Sequence, residues 1–370
     1  MNKPILVYHN PDCYSDTDVT VLRHLTNDFN VVWFYEYHSL LSDRMRFNPI
    51  IAKQYADEFD ITLEIIDSKM RQRNPRNFIY YRSVAKRINS YNPDIVYSCD
   101  YFFWTLCRSL LKTNNKVYGI HDAERHSSGL SIIASLIEKS AYRCIRKMDF
   151  FFTFSSNQHD LFLKKFGKES YMVGMSYKDF GVSQQLLPSI SEGVNLLFFG
   201  TISKYKGLDL LIEAIESLND EGVTNLKVTI AGQGEYWNFC KSLIKSRDIY
   251  NLQIRFIENK EIPDLMCSHH FIVLPYRDAT QSGPLVTALG YSLPVIAPDF
   301  GCFKEILNKE SAIIYPQGNL KQALRRVSEI TQDDYDIFKN KMNSLRDNYS
   351  EDRIANNYIH SFYSVINGAM

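Results

Sequence analysis

The stretch 271-FIVLPYRDATQSGPLVTALGYSLPVIAPDFGCFKE-305 decides the fold. Its apolar opening, Phe271 to Leu274, reads as a buried parallel strand, since a strand covered on both faces shows no polar alternation. A polar loop from Arg277 to Ser282 follows, then Gly283 and Pro284. Proline suits the first turn of a helix, where its missing N–H leaves no bond unmade. Pro294 disfavours helical backbone at Leu293, so the helix from Pro284 ends near Ser292. Pro294 to Ala297 is a second buried strand, and Gly301 marks a turn. This β–loop–α–β unit points a helix N-terminus at the crevice above a sheet. Such a terminus favours an anion by ~0.3–1 kcal/mol when exposed and up to ~2 kcal/mol when partly buried. An ordinary α/β crossover without a ligand would carry the same pattern.

With these residues in place, the sequence resembles the nucleotide-sugar glycosyltransferases of the GT-B fold, family 4. Their signature is a glutamate, seven residues, a second glutamate, a small-residue helix and Pro-Val. Aligned on Pro294-Val295, the glutamate positions fall on Ala279 and Thr287, so both carboxylates are missing. The TQSG loop (Thr280 to Gly283), the helix, PVIA and the Gly301 to Glu305 pair remain recognisable. The resemblance is strong from Leu196 to Ile306 and weaker across residues 116–176.

Composition sets the outer bounds. A chain of 370 residues exceeds one typical hydrophobic core, so two domains are expected. Lys+Arg equals Asp+Glu at 42 each, which gives no reason to expect a nucleic-acid partner. No window approaches the roughly 20 apolar residues of a membrane-spanning helix. Met1 to Pro4 runs straight into a strand, with no signal peptide apparent. Seven scattered cysteines without a CxxC pair read as reduced thiols, pointing to the cytoplasm.

From the N-terminus, strands are expected at Ile5–Tyr8, Val31–Tyr35, Leu63–Ile66, Ile95–Ser98, Val117–Ile120 and Phe150–Phe154, spaced for crossovers of a doubly wound parallel sheet. Asp16 is the expected N-cap of the first helix. Between Ser68 and Pro93 lie Lys69, Arg71, Arg73, Arg76, Arg82, Lys86 and Arg87, with no acidic residue and with Phe78, Ile79, Tyr80 and Tyr81 among them. Basic and aromatic groups on one helix suit an anionic membrane surface, through residues 69–87. The alternative is a solvated helix whose aromatics face the core. After KVYGI come His121, Asp122 and His126. Ligands gather at the carboxyl ends of strands in open α/β sheets, and a histidine there can donate to a sugar hydroxyl. Ser155 begins a helix at another strand end.

Residues 177–193 break periodicity and read as linker. The second domain is expected to open on Leu196 to Gly200. It continues through a helix with Asp209 in its first turn, strands at Val228–Ala231, Leu252–Ile257 and Ile313–Tyr315, and a glycine turn at Gly232 to Gly234. An amphipathic C-terminal helix follows Ser350.

The resemblance then assigns roles. It implies two Rossmann-like domains with parallel sheets facing a central cleft: 1–180 on the acceptor side, a linker at 181–194, 195–350 binding the nucleotide sugar, and a helix at about 351–367 packing back on the first. Family members place an arginine just after the strand-end glycine and a lysine before the next glycine, both on the donor diphosphate. Lys206 matches, while the arginine position is Thr201. Donor contacts are thereby implied at Gly200, Thr201, Lys206, Gly232, Ile257, Asn259, Gln281, Ser282, Gly283, Leu285 and Thr287. His121, Asp122 and Asp278 are the catalytic candidates, with His126, Ser155 and Glu305 as further cleft residues. Asp278 and Gln281 are expected to share the sugar-facing role of the missing carboxylate. The implied activity is a metal-independent, retaining, hexosyltransferase-type transfer to a glycan or lipid-linked acceptor in surface polysaccharide synthesis. No cofactor is expected beyond the nucleotide-sugar co-substrate. A catalytically degenerate scaffold and a nucleotide-sugar epimerase remain as alternatives.

Overall fold

The computed structural model describes residues 3–11, 15–37, 48–67, 74, 76–123, 139–140 and 142–368. The chain divides into two compact units, Met1–Ser176 with Glu351–Met370, and Tyr177–Ser350.

In the first unit the strands are β1 (Ile5–Pro11), β2 (Asn30–Tyr37), β3 (Thr62–Asp67), β4 (Ile95–Ser98), β5 (Lys116–Ile120), β6 (Phe150–Thr153) and β7 (Tyr171–Met172). They form one parallel sheet in the order β3-β2-β1-β4-β5-β6-β7. The central strands are apolar over most of their length, as a sheet covered on both faces requires, with His9, Asn10, Glu36 and Ser98 as buried polar residues toward their carboxyl ends. Five of its helices are α1 (Ser15–Leu25), α2 (Pro49–Glu58), α3 (Asn77–Ser90), α4 (Tyr101–Cys107) and α5 (Ser156–Phe166). Their starts follow capping chemistry: Asn48 accepts from the Ile50 and Ile51 N–H groups, Asp100 from Phe102 and Phe103, and Ser155 from Gln158. α1 begins at Ser15, so Asp16 lies inside its first turn rather than before it.

The second unit holds β8 (Val194–Phe199), β9 (Leu226–Ala231), β10 (Tyr250–Gln253), β11 (Phe271–Val273), β12 (Val295–Pro298) and β13 (Ala312–Tyr315). Its parallel order is β10-β9-β8-β11-β12-β13. The helices are α6 (Leu208–Asp220), α7 (Trp237–Leu243), α8 (Ile262–Cys267), α9 (Gly283–Gly290), α10 (Gly301–Ile306), α11 (Leu320–Ser328) and α12 (Gln332–Arg346). In both sheets the order reverses beside the first strand, at β1/β4 and at β8/β11. Such a reversal opens a crevice at the strand carboxyl ends, because the flanking connections leave to opposite faces. Two Rossmann-like parallel units of this kind are the α/β fold that the sequence led us to expect.

Three expectations are corrected. Residues 181–194, expected as the linker, fall within the second unit, which begins at Tyr177. Phe180 N–H donates to Tyr291 Oη, Ser183 Oγ donates to Asp264, Ile190 lies in the core and β8 already starts at Val194. β10 ends at Gln253, short of Ile257, because the Arg255 N–H turns back onto the Gln253 carbonyl. On α3, Tyr81 is buried, and Arg87, though partly exposed, is engaged by an acidic partner of the same unit. Arg87 pairs with Glu64, and Tyr81 Oη donates to Glu36 at 2.5 Å.

The last helix, α13 (Glu351–Ile366), belongs to the first unit. Its first turn is held by Arg23 and His24 against Glu351 and Asp352. Asn357 Nδ2 donates to the Val173 carbonyl at 3.0 Å. Phe362, fully buried, meets Phe29, Tyr97 and Phe152 at centroid distances of 5.7, 5.9 and 5.0 Å. Removing a ring from such a cluster loses transfer energy and leaves a cavity. Phe362→Ala is therefore expected to lower stability by ~3–5 kcal/mol, read as a lower midpoint for the first unit's transition in denaturant.

Candidate functional site

The crevice at β8/β11 is built by close backbone packing. β8 runs into Gly200, whose φ is +114°, and Gly232 after β9 has φ +148°. A Cβ on Gly232 would lie 1.9 Å from the Gly200 carbonyl oxygen. The glycine turn expected to admit a ligand thus also seats one loop closely on another. The Ile202 N–H donates to the Gln233 carbonyl at 2.9 Å, and Thr201 stands exposed between them.

The chain then makes a 3-10 turn over Lys204–Lys206. Lys206 is only 7% exposed, and its Nζ lies 3.2 Å from where a Gly200 Cβ would stand. The same Gly200 point is 3.3 Å from Pro284 Cγ, in the first turn of α9. The Lys206 ammonium therefore lies beside the start of that helix, 5.4 Å from the Tyr276 ring centroid. A cation and a helix N-terminus side by side form an anion site by two independent terms.

Arg277, which the sequence reading passed over, holds this turn. Its backbone N–H donates to the Tyr205 carbonyl at 2.6 Å and its Nη1 to the Lys204 carbonyl at 2.7 Å. Its guanidinium also grips both carboxylate oxygens of Asp209, at 2.8 and 2.7 Å. Burial alone would raise the Asp209 carboxyl, but the hydrogen bonds and charge of Arg277 outweigh it and hold the group below its ordinary value.

At α9 itself, Ser282 is the N-cap and its Oγ accepts from the Leu285 N–H at 3.3 Å. That corrects the Leu285 N–H as a diphosphate donor, since it is already used. Gly283 is exposed, and a Cβ there would meet nothing within 4 Å, so open space faces the helix start. Ala279 is 2% exposed, with its methyl among Leu285, Cys302 and Phe303. Thr287 Oγ1 donates to the Gly283 carbonyl at 3.0 Å within the helix and is buried, so the hydroxyl offered for ribose is turned inward. Asp278 is exposed, Gln281 partly so, and Glu305 is exposed on α10. Ile257 is buried in the core, whereas Asn259 Oδ1 is enclosed with no hydrogen bond from a described residue.

Residues 193–333, most of the second unit, match the family model for glycosyl transferases group 1. The fold is GT-B. Over nearly its whole length the chain resembles Alr3699/HepE of Anabaena, solved with UDP, at 13% identity and a TM-score of 0.71, covering 97% of this chain and 100% of that one. It likewise resembles the lipopolysaccharide outer core galactosyltransferase WaaB, at 14% identity and a TM-score of 0.64, covering 97% and 99%. A curated relative, an uncharacterized 41.2 kDa protein in the cps region of Klebsiella pneumoniae, is 28% identical over 117 residues. That match spans 32% of this chain and 31% of the relative.

In the first unit, His121 and Asp122 follow β5. The His121 ring stacks on Phe154 at 4.2 Å and 15°, and Asp122 is exposed. Gln158 Oε1 accepts from the Ala123 N–H at 2.7 Å, fixing this strand end to α5. Ser155 is buried as the α5 cap, its hydroxyl accepting from the Gln158 N–H at 3.2 Å. His126 lies outside the described residues, as do Lys69, Arg71 and Arg73.

The β1/β4 reversal carries a polar network that the sequence reading also missed. His9 Nδ1 meets Ser98 Oγ at 2.8 Å and its Nε2 donates to Glu36 at 3.0 Å, while the ring stacks on Phe103 at 4.1 Å. Asn10 and Tyr8 both donate to Asp18, at 2.8 and 2.9 Å. The signal was available: His9 and Asn10 are polar residues that follow the apolar run Ile5–Tyr8, and β1 continues through them to Pro11. Asp100 caps α4 beside this network. Burial, aided by the Glu36 charge and opposed by His9 and two backbone N–H groups, lifts its carboxyl from 3.8 to about 6. The folded state therefore binds this proton more tightly than the unfolded chain. Stability from Asp100 rises as pH falls from about 6 toward 3.8, and is lost as pH rises through about 6. Asp100→Asn keeps the cap and is expected to flatten that dependence, measured as the wild-type-minus-variant difference in denaturant midpoint at pH 5 and pH 7.

Proposed function

We propose that this protein transfers a sugar from a nucleoside-diphosphate sugar to a hydroxyl of a glycan or lipid-linked acceptor, in surface polysaccharide synthesis. The observation that carries the reading is the buried Lys206 ammonium beside the first turn of α9. Charge develops on the leaving diphosphate as the glycosidic bond breaks, and preorganised positive groups there lower the barrier more than they stabilise the bound donor. Lys206, the Thr201 hydroxyl and the N–H groups at Ser282 and Gly283 are assigned to that task. Asp278 and Gln281 are assigned to the transferred sugar, His121 and Asp122 to the reacting centre, and Asn259 Oδ1 to a donor on the base. Retention at the anomeric carbon, a hexosyl donor and independence of metal follow from the resemblance and are part of the proposal. The Alr3699/HepE complex with UDP and the cps-region location of the curated relative support donor class and pathway.

A second reading, nucleotide binding without transfer, is favoured by Ala279 and Thr287, which leave α9 without a carboxylate toward the sugar. Incubation with a panel of nucleoside-diphosphate sugars and acceptors separates the two. Free nucleoside diphosphate with a glycosylated product supports transfer, binding without nucleotide release supports the second reading, and an altered sugar still attached to its nucleotide points to epimerisation. Lys206→Ala is expected to weaken nucleoside-diphosphate binding by ~2–5 kcal/mol, since a buried charge pair is lost. Unchanged affinity by calorimetry would remove Lys206 from the site.

A further inference from the structure

We propose that the outward face of α3 docks on an anionic lipid bilayer, with a lipid phosphate seated among Arg82, Lys86 and Lys112. A groove of about 570 Å³ runs along this face, with Ile79, Arg82, Lys86, Leu110 and Lys112 in its walls. No acidic residue lines it, and none of its three cations forms an ion pair with a described residue. The helix divides cleanly. Tyr81, Val84, Ala85 and Ile88 are at most 1% exposed, which accounts for its core face. Ile79, Arg82, Ser83 and Lys86 recur at three- and four-residue steps on the other face, as one stripe. Phe78 and Ile79 project at its start, 55% and 71% exposed.

A solvated helix face ordinarily mixes acidic with basic groups and has no use for two protruding apolar side chains. A site for a free anion needs the cations and not the apolar pair. A bilayer uses both, because the apolar pair enters the acyl boundary while the cations meet phosphates at the surface. The structure also revises which groups take part: Arg87 is paired with Glu64, Tyr81 is buried against Glu36, and Lys112, from the far wall of the groove, joins.

The test is co-sedimentation of the full chain with phosphatidylcholine vesicles, with and without phosphatidylglycerol. Binding is expected only with phosphatidylglycerol. Arg82→Gln/Lys86→Gln/Lys112→Gln should lower partitioning on the order of 100-fold, at about tenfold or less per cation. Phe78→Ser/Ile79→Ser should also weaken it, with charge unchanged; all these side chains are exposed or line the groove, and circular dichroism verifies folding of each variant. Wild type that ignores phosphatidylglycerol, or variants that sediment like wild type, would overturn the proposal. So would vesicle binding by the Phe78/Ile79 variant equal to wild type together with displacement by inorganic phosphate, since that pattern describes a soluble-anion site.

Discussion

The second unit's crevice depends on the bidentate contact between Arg277 and Asp209. One partner leaves the carboxyl end of β11 and the other sits in the first turn of α6, so the pair ties together the two sides of the topological reversal. Between them the chain makes a tight passage: a Cβ on Gly207 would lie 1.9 Å from the Pro275 carbonyl oxygen. Only glycine allows that approach, and its φ of +70° suits the same residue. With the turn pinned at its carbonyls by Arg277, Lys206 has one direction to take, inward toward Gly200 and Pro284. A buried ion pair is weak evidence for net stability, because desolvation opposes the Coulomb gain. Its contribution here is geometric.

The first unit has the same strand order and uses its reversal differently. Where the second unit leaves open space before Gly283, the first fills the corresponding place with His9, Glu36, Ser98 and Tyr81, hydrogen-bonded to one another and almost wholly out of water. Buried polar groups in such a network are costly unless each is satisfied, and satisfied networks rigidify their surroundings. The same order over the first six strands thus gives one reversal with open space at a helix start and one filled by side chains.

Most strands were legible because they are short apolar runs ended by a turn residue; Ile95–Ser98 needed no adjustment, whereas the two-residue edge strand β7 was too short to read. β10 was misplaced because it is an edge strand with Asn251 and Leu252 exposed, so apolar content does not mark its limits. Lys206 was found by register with its neighbouring glycines. The pairing of Arg277 with Asp209 was not, since nothing local links residues 68 positions apart. The His9 network has the same difficulty, being assembled from the ends of β1, β2 and β4. Leu285 and Thr287 were misjudged for the opposite reason: their polar groups are satisfied within a single helical turn, which spacing alone does not reveal.

That local satisfaction bears on the two absent carboxylates. At position 279 the side chain enters an apolar cluster with Leu285 and Phe303, where an ionised group would meet no partner and a large desolvation cost. At position 287 the hydroxyl closes onto the Gly283 carbonyl. Neither substitution leaves a vacancy that another acid could enter without repacking; one position has become core and the other part of the helix. The polar groups that remain near the start of α9 lie on the loop before it, where Asp278 is exposed and Gln281 partly so, while the two helix-side positions are closed by apolar packing and a backbone hydrogen bond.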